Sequence, residues 1–440
     1  MLSLIGLIGG LALLIILTIR GVSIMIAAPF CALIVALTGD LSLMPQLVDR
    51  ATDPQAVDYV TRYMTGFTRF IFSWFFMFLL GALFGKVMED SGAAYSFSDW
   101  LIGKLGRNNA LLAVVAACAV LTYGGVSVFV VAFSVYPIAL SLFKEADLPR
   151  RFIPATMAFG SVTFTMTSAG SPEIQNWIPI KFLGTTHFAG WQVSLVVALV
   201  MMVMGYMWLK FMVRRAVANG ERFEIRVDDV FERSASSLPH PVLSLLPLLA
   251  VLGVSFFFHD TLKESALIVA LLSGVLMGIF LNLKRFENLQ KTCAIGATGA
   301  VIAIANTAAV VGFGTVAQAT PAFAEAVAFM TSLPGNELVG AAVAVTVIAG
   351  LTGSASGGQS IALPLLAPHY LEAGVNPDAL HRVVAIASGA LDSLPHNGYV
   401  VTTIQAICKE THKNAYAPLG ALTVIVPTLG LILAIALFVI

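Results

Sequence analysis

Long apolar runs, interrupted by a few short polar segments, dominate the hydropathy pattern of this chain. The runs are continuous rather than alternating, and about 20 apolar residues cross about 30 Å of hydrocarbon as a helix. The pattern therefore predicts an all-α polytopic membrane protein. The runs long enough to span lie at roughly 2–19, 21–38, 66–88, 192–213, 242–258, 264–282, 291–316 and 416–438.

Two polar interruptions in the first half of the chain recur at matching places in the second half. Leu121 and Leu351, which open the first interruption of each half, are 230 residues apart, and Arg151 and Arg382 are 231 apart. Paired helix-breaking segments in two halves of a membrane chain are typical of a transport site. We therefore expect two repeats, residues 1–213 and 242–440, joined by a polar linker at 214–241.

Each repeat is predicted to contain five crossings and one re-entrant hairpin, at 108–143 in the first repeat and 336–371 in the second. The arms of a hairpin, each about 15 residues at about 1.5 Å per residue, are too short to cross comfortably. An odd number of crossings forces the second repeat to insert upside down. One predicted side carries 18 of the 24 Lys and Arg residues, which makes it cytoplasmic and places both termini outside.

Composition and cysteine placement predict a membrane protein without a metal or cofactor. The chain is 58% hydrophobic and 11% charged, with a formal net charge of zero, whereas charged residues make up about a quarter of a soluble domain. The four cysteines stand singly in apolar stretches, without the spacing of metal ligands. No basic block predicts nucleic-acid binding. We expect no enzyme activity, since no HExxH motif or nucleophile elbow is present.

Hydroxyl, amide and glycine residues at the four interruptions are the candidate substrate-binding groups. Ser171 before Pro172 predicts that a half-helix begins in the middle of a span, with Pro395 in the same role in the second repeat. Such a half-helix presents unpaired amides and a positive dipole end to an anion. Close packing of small residues is the structural alternative. The candidates are Thr122, Tyr123, Gly124, Gly125, Ser127, Ser168, Gly170, Ser171, Glu173, Ser354, Ser356, Gly357, Gly358, Gln359, Ser360, Ser393, His396 and Asn397.

Three ionisable residues at the interruptions are the candidates for proton coupling, because an ionisable group inside a membrane is costly and usually functional. Asp392 and His396 stand four residues apart, so that they face each other across the second interruption, and histidine titrates near neutral pH. Glu173 is the third candidate. The alternatives are a purely structural pair of Asp392 with His396, and a Glu173 that only caps its helix.

The remaining cationic and imidazole side chains are expected to have other roles. Arg151 and Arg382 lie near predicted membrane surfaces, where an arginine usually snorkels. The other histidines are predicted to be solvated, because no pair has metal-ligand spacing on one helix. These histidines are His187, His240, His259, His369, His381 and His412.

Three segments, Leu391–Tyr399, Lys409–Tyr416 and Leu121–Ser127, resemble the gluconate permease (GntP) family of the ion transporter superfamily, above all its hydroxybutyrate permease branch. The resemblance covers essentially the whole chain. It implies proton symport of a small hydroxy-monocarboxylate, such as 3-hydroxybutyrate or gluconate, across the lipid bilayer of the bacterial inner membrane. It also implies a homodimer in which a hairpin-bearing transport domain moves like an elevator.

Two alternatives to proton symport remain open. A sodium-coupled di- or tricarboxylate carrier would use the same fold, although the hairpin tips lack the Ser-Asn-Thr pattern associated with such relatives. A membrane-embedded enzyme is the more remote alternative.

Overall fold

Every regular element that the structure describes is helical. The computed structural model describes residues 2–20, 22–43, 58–105, 109–126, 128–226, 238–262, 265–331, 336–395 and 397–439. Within these ranges six helices are long and apolar enough to cross a membrane, which confirms the prediction of an all-α polytopic membrane protein. They are Tyr59–Asp90, Trp191–Ala218, Pro241–Phe258, Ser265–Arg285, Leu289–Gln318 and His412–Val439.

The order of helices in the first half of the chain recurs in the second half. Each half has two helices, a long helix, a short helix, two helices joined by a tight turn, a broken helix and a final helical stretch. In the first half these are Leu2–Ile19, Ile24–Thr38, Tyr59–Asp90, Ala93–Leu105, Ala110–Tyr123 with Val128–Glu145, a broken helix from 150 to 183, and Trp191–Ala218. In the second half they are Pro241–Leu262, Ser265–Asn282, Leu289–Gln318, Pro321–Thr331, Glu337–Thr352 with Ala355–Glu372, a broken helix from 377 to 407, and residues 412 to 439.

The long helices of the two halves pack against each other along their length. Tyr63, near the start of the first long helix, donates a hydrogen bond of 3.1 Å to the carbonyl oxygen of Ala309, toward the end of the second. At the opposite ends, Thr292 Oγ1 donates to Asp90 Oδ2 at 2.7 Å. The two helices therefore run antiparallel.

Two helical hairpins each turn at a glycine, one of which, Gly125, is a predicted site residue. Hairpin 1 is the pair Ala110–Tyr123 and Val128–Glu145, and hairpin 2 is the pair Glu337–Thr352 and Ala355–Glu372. Gly125 and Gly353 in their turns have positive φ values of 93° and 60°, a conformation that glycine adopts without a steric penalty. The re-entrant insertion of both hairpins stays a prediction, because the helices alone do not define the position of the bilayer.

Both broken helices contain a stretch without regular helical structure. We call residues 164–173 the first break, and residues 389–395 together with Asn397 the second break. The first break follows a π-helical turn at Phe159–Thr163 and precedes a 3-10 turn at Ile174–Asn176 and a helix at Ile178–Leu183. The second break follows the helix Pro377–Ser388 and precedes Gly398–Val401 with a π-helical segment at Thr402–Ile407.

The prediction that half-helices begin at Pro172 and Pro395 is wrong. Pro172 lies inside the first break, and the proline in the first turn of the following helix is Pro179. In the second half the helix is capped by Asn397, whose Oδ1 accepts a hydrogen bond of 3.0 Å from the backbone N–H of Val400. Asn is as effective a cap as Ser, so the helix begins after Asn397 and not at the proline.

The described part of the predicted linker contacts both halves. The last helix of the first half continues to Ala218, residues 219–226 follow it without regular structure, and residues 227–237 lie outside the described part of the chain. Glu221 accepts hydrogen bonds of 2.6 and 2.9 Å from the guanidinium of Arg151 in the first half. Arg226 donates to Glu410 in the second half at 2.8 Å.

Candidate functional site

Hairpin 1 meets the first break at its turn. Tyr123 donates a hydrogen bond of 2.7 Å from its hydroxyl to the carbonyl oxygen of Ala169, and a Cβ added to Gly125 would lie 3.2 Å from the ring of Pro172. Gly170, with a φ of 81°, lets the break turn at this point. The other predicted site residues that are buried at this turn and break are Thr122, Gly124, Ser168 and Ser171.

Hairpin 2 meets the second break in the same way. Asn397 Nδ2 donates a hydrogen bond of 3.0 Å to the carbonyl oxygen of Gly353 in the turn. Ser354 caps the second arm of the hairpin, because its Oγ accepts a hydrogen bond of 3.1 Å from the N–H of Gly357. The turn therefore places the N-terminus of the 18-residue helix Ala355–Glu372 beside the second break.

Contacts between the halves join these two pairs. Gln359 in hairpin 2 donates hydrogen bonds of 3.1 Å to the carbonyl oxygen of Gln175, just after the first break, and to Ser388 Oγ, just before the second. Hairpin 1 reaches the second broken helix through Phe129 and Tyr399, whose ring centroids are 5.6 Å apart in an edge-to-face arrangement. Both hairpin turns and both breaks thus lie in one mostly buried region.

Several hydroxyl groups lie in this region. Ser354 Oγ and Ser356 Oγ lie 3.4 Å apart at the start of the second arm of hairpin 2. Thr122 Oγ1 and Ser360 Oγ are buried and have no hydrogen-bond partner among the described residues. Buried polar atoms are nearly always hydrogen-bonded, so these two oxygens are suited to bind a polar ligand or water.

The predicted ionisable residues have different surroundings. Asp392 is 6% exposed and accepts a hydrogen bond of 2.9 Å from Ser393 Oγ. Glu173 lies at the N-cap position of the 3-10 turn after the first break, and its side chain makes no capping hydrogen bond to that turn. His396 and Ser127 lie outside the described residues, and so does the predicted pair of Asp392 with His396.

Related sequences are described as transporters. A Bacillus subtilis (strain 168) protein described as the uncharacterized transporter YxjC is 34% identical to this chain over 92% of each. The chain belongs to the transporter family of YxjC. A Haemophilus influenzae (strain ATCC 51907 / DSM 11121 / KW20 / Rd) protein described as an uncharacterized transporter is 25% identical over 74% of this chain and 75% of its own. No protein-family model matches the sequence.

The fold of this YxjC-family chain resembles that of a solved transporter. The crystal structure of the Alcanivorax borkumensis YdaH transporter, reported to have an unusual topology, matches with a TM-score of 0.53 and 16% identity over 86% of this chain and 87% of that chain. At this identity the match concerns the fold alone. The relatives and the apolar helices together identify a multi-pass membrane transporter.

Arg382 of this YxjC-family chain is fully buried, so the prediction that it reaches a membrane surface is wrong. Arg151, at the corresponding position of the first half, is paired with Glu221 and partly exposed. The sequence around the two arginines does not indicate that Arg382 is buried and Arg151 partly exposed. The four acceptors of the Arg382 guanidinium are Thr167 O, Asn176 Oδ1, Ala189 O and His187 O, at 2.6, 2.6, 3.0 and 3.1 Å.

The prediction that the remaining histidines are solvated is wrong for two of them. His187 is fully buried and stacks on Trp177 with ring centroids 4.4 Å apart. His381 is also fully buried, with Nδ1 at 2.6 Å from Thr185 Oγ1. His412 is half-buried, and its Nε2 lies 3.1 Å from a carbonyl oxygen of the second break. All three therefore belong to the surroundings of the breaks in this YxjC-family chain.

Proposed function

We propose that this protein takes up a small organic acid anion, a hydroxy-monocarboxylate such as 3-hydroxybutyrate or gluconate, together with a proton. The observation that carries the proposal is the meeting of both hairpin turns with both breaks in one mostly buried polar region. Helix interruptions at corresponding places in the two halves are where secondary transporters hold their substrates. This proposal assigns the chain to the gluconate permease family of the ion transporter superfamily.

Three features of the buried region favour an anionic substrate. The second arms of both hairpins, Val128–Glu145 and Ala355–Glu372, begin at the turns, so the positive ends of their dipoles lie beside the breaks. The buried oxygens Thr122 Oγ1 and Ser360 Oγ offer hydrogen bonds to the substrate. Arg382 adds a buried positive charge behind the first break. A carboxylate with hydroxyl substituents matches this combination of donors and positive potential.

Asp392 is the residue that we propose to carry the symported proton. No ion pair of the described residues involves Asp392, and a carboxylate inside a membrane is costly without a paired cation. Protonation during the transport cycle relieves that cost. His396 is the proposed partner of Asp392, and Glu173 is the next candidate for the proton.

The architecture that we propose is a pair of inverted repeats, with the linker in the cytoplasm and both termini outside the bacterial inner membrane. The antiparallel packing of the two long helices supports it, because corresponding helices of inverted repeats cross the bilayer in opposite directions. The concentration of 18 of the 24 Lys and Arg residues on one predicted side supports the orientation. We further propose a homodimer in which the hairpins and broken helices move together against the other helices.

Single cysteines test this topology. In a background without the four native cysteines, a cysteine in the linker and a cysteine at the C-terminus should react with a membrane-impermeant thiol reagent from opposite sides. Labelling of both from the same side contradicts the inverted repeats.

Uptake into proteoliposomes tests the substrate and the coupling ion. A panel of monocarboxylates that includes 3-hydroxybutyrate and gluconate is offered with a proton gradient or a sodium gradient alone. Accumulation driven by the proton gradient without sodium is the expected result. A requirement for sodium with a preference for di- or tricarboxylates favours the alternative carrier, and accumulation of no organic acid under either gradient contradicts the proposal.

Asp392→Asn tests the proton site. This variant should lose gradient-driven accumulation but retain exchange of labelled for unlabelled substrate, because exchange requires only that the loaded carrier moves. Asp40→Asn, which changes an exposed aspartate outside both hairpins and both breaks, is the matched control and should accumulate normally. If Asp392→Asn accumulates substrate normally, the proton site lies elsewhere and Glu173 is tested next.

A further inference from the structure

Arg382 joins the two halves of the protein at the first break. It lies on the helix Pro377–Ser388 of the second half, whereas all four of its described hydrogen-bond acceptors belong to the first half. One acceptor lies in the first break, one in the 3-10 turn that follows, and two in the segment before the helix Trp191–Ala218. The guanidinium therefore fixes three separate stretches of the first half relative to one another.

The local backbone is shaped to admit this side chain. Gly190 has a φ of 59°, and a Cβ added there would lie 3.1 Å from the Cβ of Arg382. The carbonyl oxygen of His187, which accepts from Arg382, also accepts from the N–H of Gly170 at 3.1 Å. Asn176 accepts from Arg382 and at the same time donates from Nδ2 to the carbonyl oxygen of Met166 at 2.9 Å. The arginine thus completes a network that engages the first break from Met166 to Gly170.

Nearly all N–H donors of the Arg382 guanidinium are already used in hydrogen bonds within the protein. A guanidinium has five N–H donors, and the bonds to four acceptors leave at most one of them for a substrate. Arginine recognises a carboxylate best with two parallel N–H donors, and that arrangement is closed to Arg382 here. No ion pair of the described residues involves Arg382, so carbonyl and amide oxygens, rather than a carboxylate, hold its guanidinium in this part of the chain.

We infer that Arg382 is a positioning residue for transport: it holds the first break in its binding shape through hydrogen bonds from the second half, without contacting the substrate. The inference rests on the proposed function only for its effect on uptake. Its effect on the shape of the first break is independent of what the protein transports.

Accessibility of the first break gives the independent test. A single cysteine replaces the buried Ser168 in a background without the four native cysteines, and its reaction with N-ethylmaleimide is followed in Arg382→Lys and Arg382→Gln. Both variants should react at least about tenfold faster than the parent. A tenfold change in rate corresponds to a shift of about 1.4 kcal/mol in a local opening equilibrium. Lysine keeps the charge but has no planar fork of donors, so it should not restore protection. Arg151→Lys and Arg151→Gln are the matched controls and should leave the rate unchanged.

A second pair of variants serves if the Arg382 variants fail to fold. Asn176→Ala removes both the acceptor for Arg382 and the donor to Met166, whereas Asn176→Asp removes only the donor. The labelling rate should therefore rise more in Asn176→Ala than in Asn176→Asp, and equal rates would overturn the inference.

Uptake measured on the same Arg382 variants, without the reporter cysteine, separates positioning from substrate binding. We expect both Arg382 variants to lose uptake in this assay and to lose protection of the reporter cysteine at position 168 in the labelling assay. Loss of uptake with unchanged labelling makes Arg382 a substrate ligand and overturns the inference. Full uptake and full protection in Arg382→Lys overturn it as well, because charge alone then suffices. If labelling rises as expected but no organic acid is accumulated even by the parent, the proposed function fails while the positioning role stands.

Discussion

Glu410→Gln should destabilise the protein strongly, because Glu410 lies at the centre of a buried ion cluster. Its Oε1 is 3.2 Å from Nε of Arg150 in the first half, and the two side chains are only 3% and 5% exposed. The same oxygen is 2.8 Å from Nη2 of Arg226 in the linker. The cluster therefore joins the first half, the linker and the second half at one carboxylate.

The size of the effect follows from the burial of Arg150. Removing one partner of a buried ion pair leaves an uncompensated charge and costs about 3–5 kcal/mol. Arg150 keeps hydrogen bonds to the carbonyl oxygen of Glu224 and to the hydroxyl of Tyr136 in the variant. We therefore expect a loss of unfolding free energy at the lower end of this range, about 3 kcal/mol, or roughly a hundredfold in the unfolding equilibrium. The matched control is Glu221→Gln, because Glu221 and Arg151 are 38% and 32% exposed. An exposed pair contributes about 0–1 kcal/mol.

Equilibrium unfolding by SDS in mixed micelles, followed by tryptophan fluorescence, measures both variants. Trp177 is fully buried beside the first break and is a native reporter of its unfolding. Arg150→Gln in the Glu410→Gln background should recover part of the lost stability, since it removes a buried charge that has lost the Glu410 carboxylate. If Glu410→Gln costs no more than Glu221→Gln, or if the double variant is no more stable than the single one, the ion cluster does not stabilise the fold as argued.

Three further predictions concern the linker, hairpin 2 and the second break. The hydrogen bond from Arg151 lowers the pKa of Glu221 below its ordinary value of 4.5. The stability that this ion pair contributes is therefore fully present above pH 4.5 and is lost as the pH falls through the lower pKa of the folded state. The difference in unfolding free energy between the parent and Glu221→Gln should accordingly persist at neutral pH and narrow below pH 4.5. Gly358→Ala should destabilise hairpin 2 in the same unfolding assay, because the new Cβ would lie 2.6 Å from the backbone of Ala349. The control is Gly299→Ala, whose new Cβ would have nothing within 4 Å and which should be neutral or stabilising by up to about 1 kcal/mol. Asn397→Ala should lower the unfolding free energy by about 1–2 kcal/mol through loss of the helix cap. Asn397→Asp keeps the cap acceptor but loses the hydrogen bond to Gly353, so it should cost less. Equal losses in the two variants would mean that the contact with hairpin 2, and not the cap, provides the stabilisation.

The long apolar helices and the hairpin turns were predictable from the sequence because their signals are local. The apolar run at 264–282 corresponds to the helix Ser265–Asn282, and the run at 2–19 corresponds to Leu2–Ile19. The turn of hairpin 1 follows from Gly124 and Gly125, where the apolar run is interrupted. Length, hydropathy and glycine act within a few residues, so no knowledge of distant contacts was needed.

The limits of the breaks were not predictable, because contacts between distant residues decide them. Ser171 before Pro172 satisfies the local rule for a helix start, yet the helix begins at Ile178. The reason is that Asn176 is engaged by Arg382, 206 residues away, and by the carbonyl oxygen of Met166. These contacts fix the backbone between Met166 and Asn176 in a shape that no local pattern specifies.

A break in a membrane helix carries one general requirement, which accounts for Asn176, a residue that the sequence analysis did not name. Interrupting a helix releases backbone carbonyl groups, and inside a membrane they need protein donors because water is scarce. In the first break the donors to the carbonyl oxygens of Met166, Thr167 and Ala169 are Asn176, Arg382 and Tyr123.

In the second break, the carbonyl oxygen of Ser393 accepts from Tyr416, and that of Pro395 lies within hydrogen-bond distance of His412. Tyr416 and His412 come from the segment Lys409–Tyr416, which follows the break closely in the chain, whereas Arg382 reaches the first break from the other half. One donor to the carbonyl groups of the first break therefore comes from the other half, whereas the described partners of the carbonyl groups in the second break come from its own half. Because of this asymmetry, we expect a perturbation of the helix Pro377–Ser388 to reach both breaks and a perturbation of His412 to reach only the second.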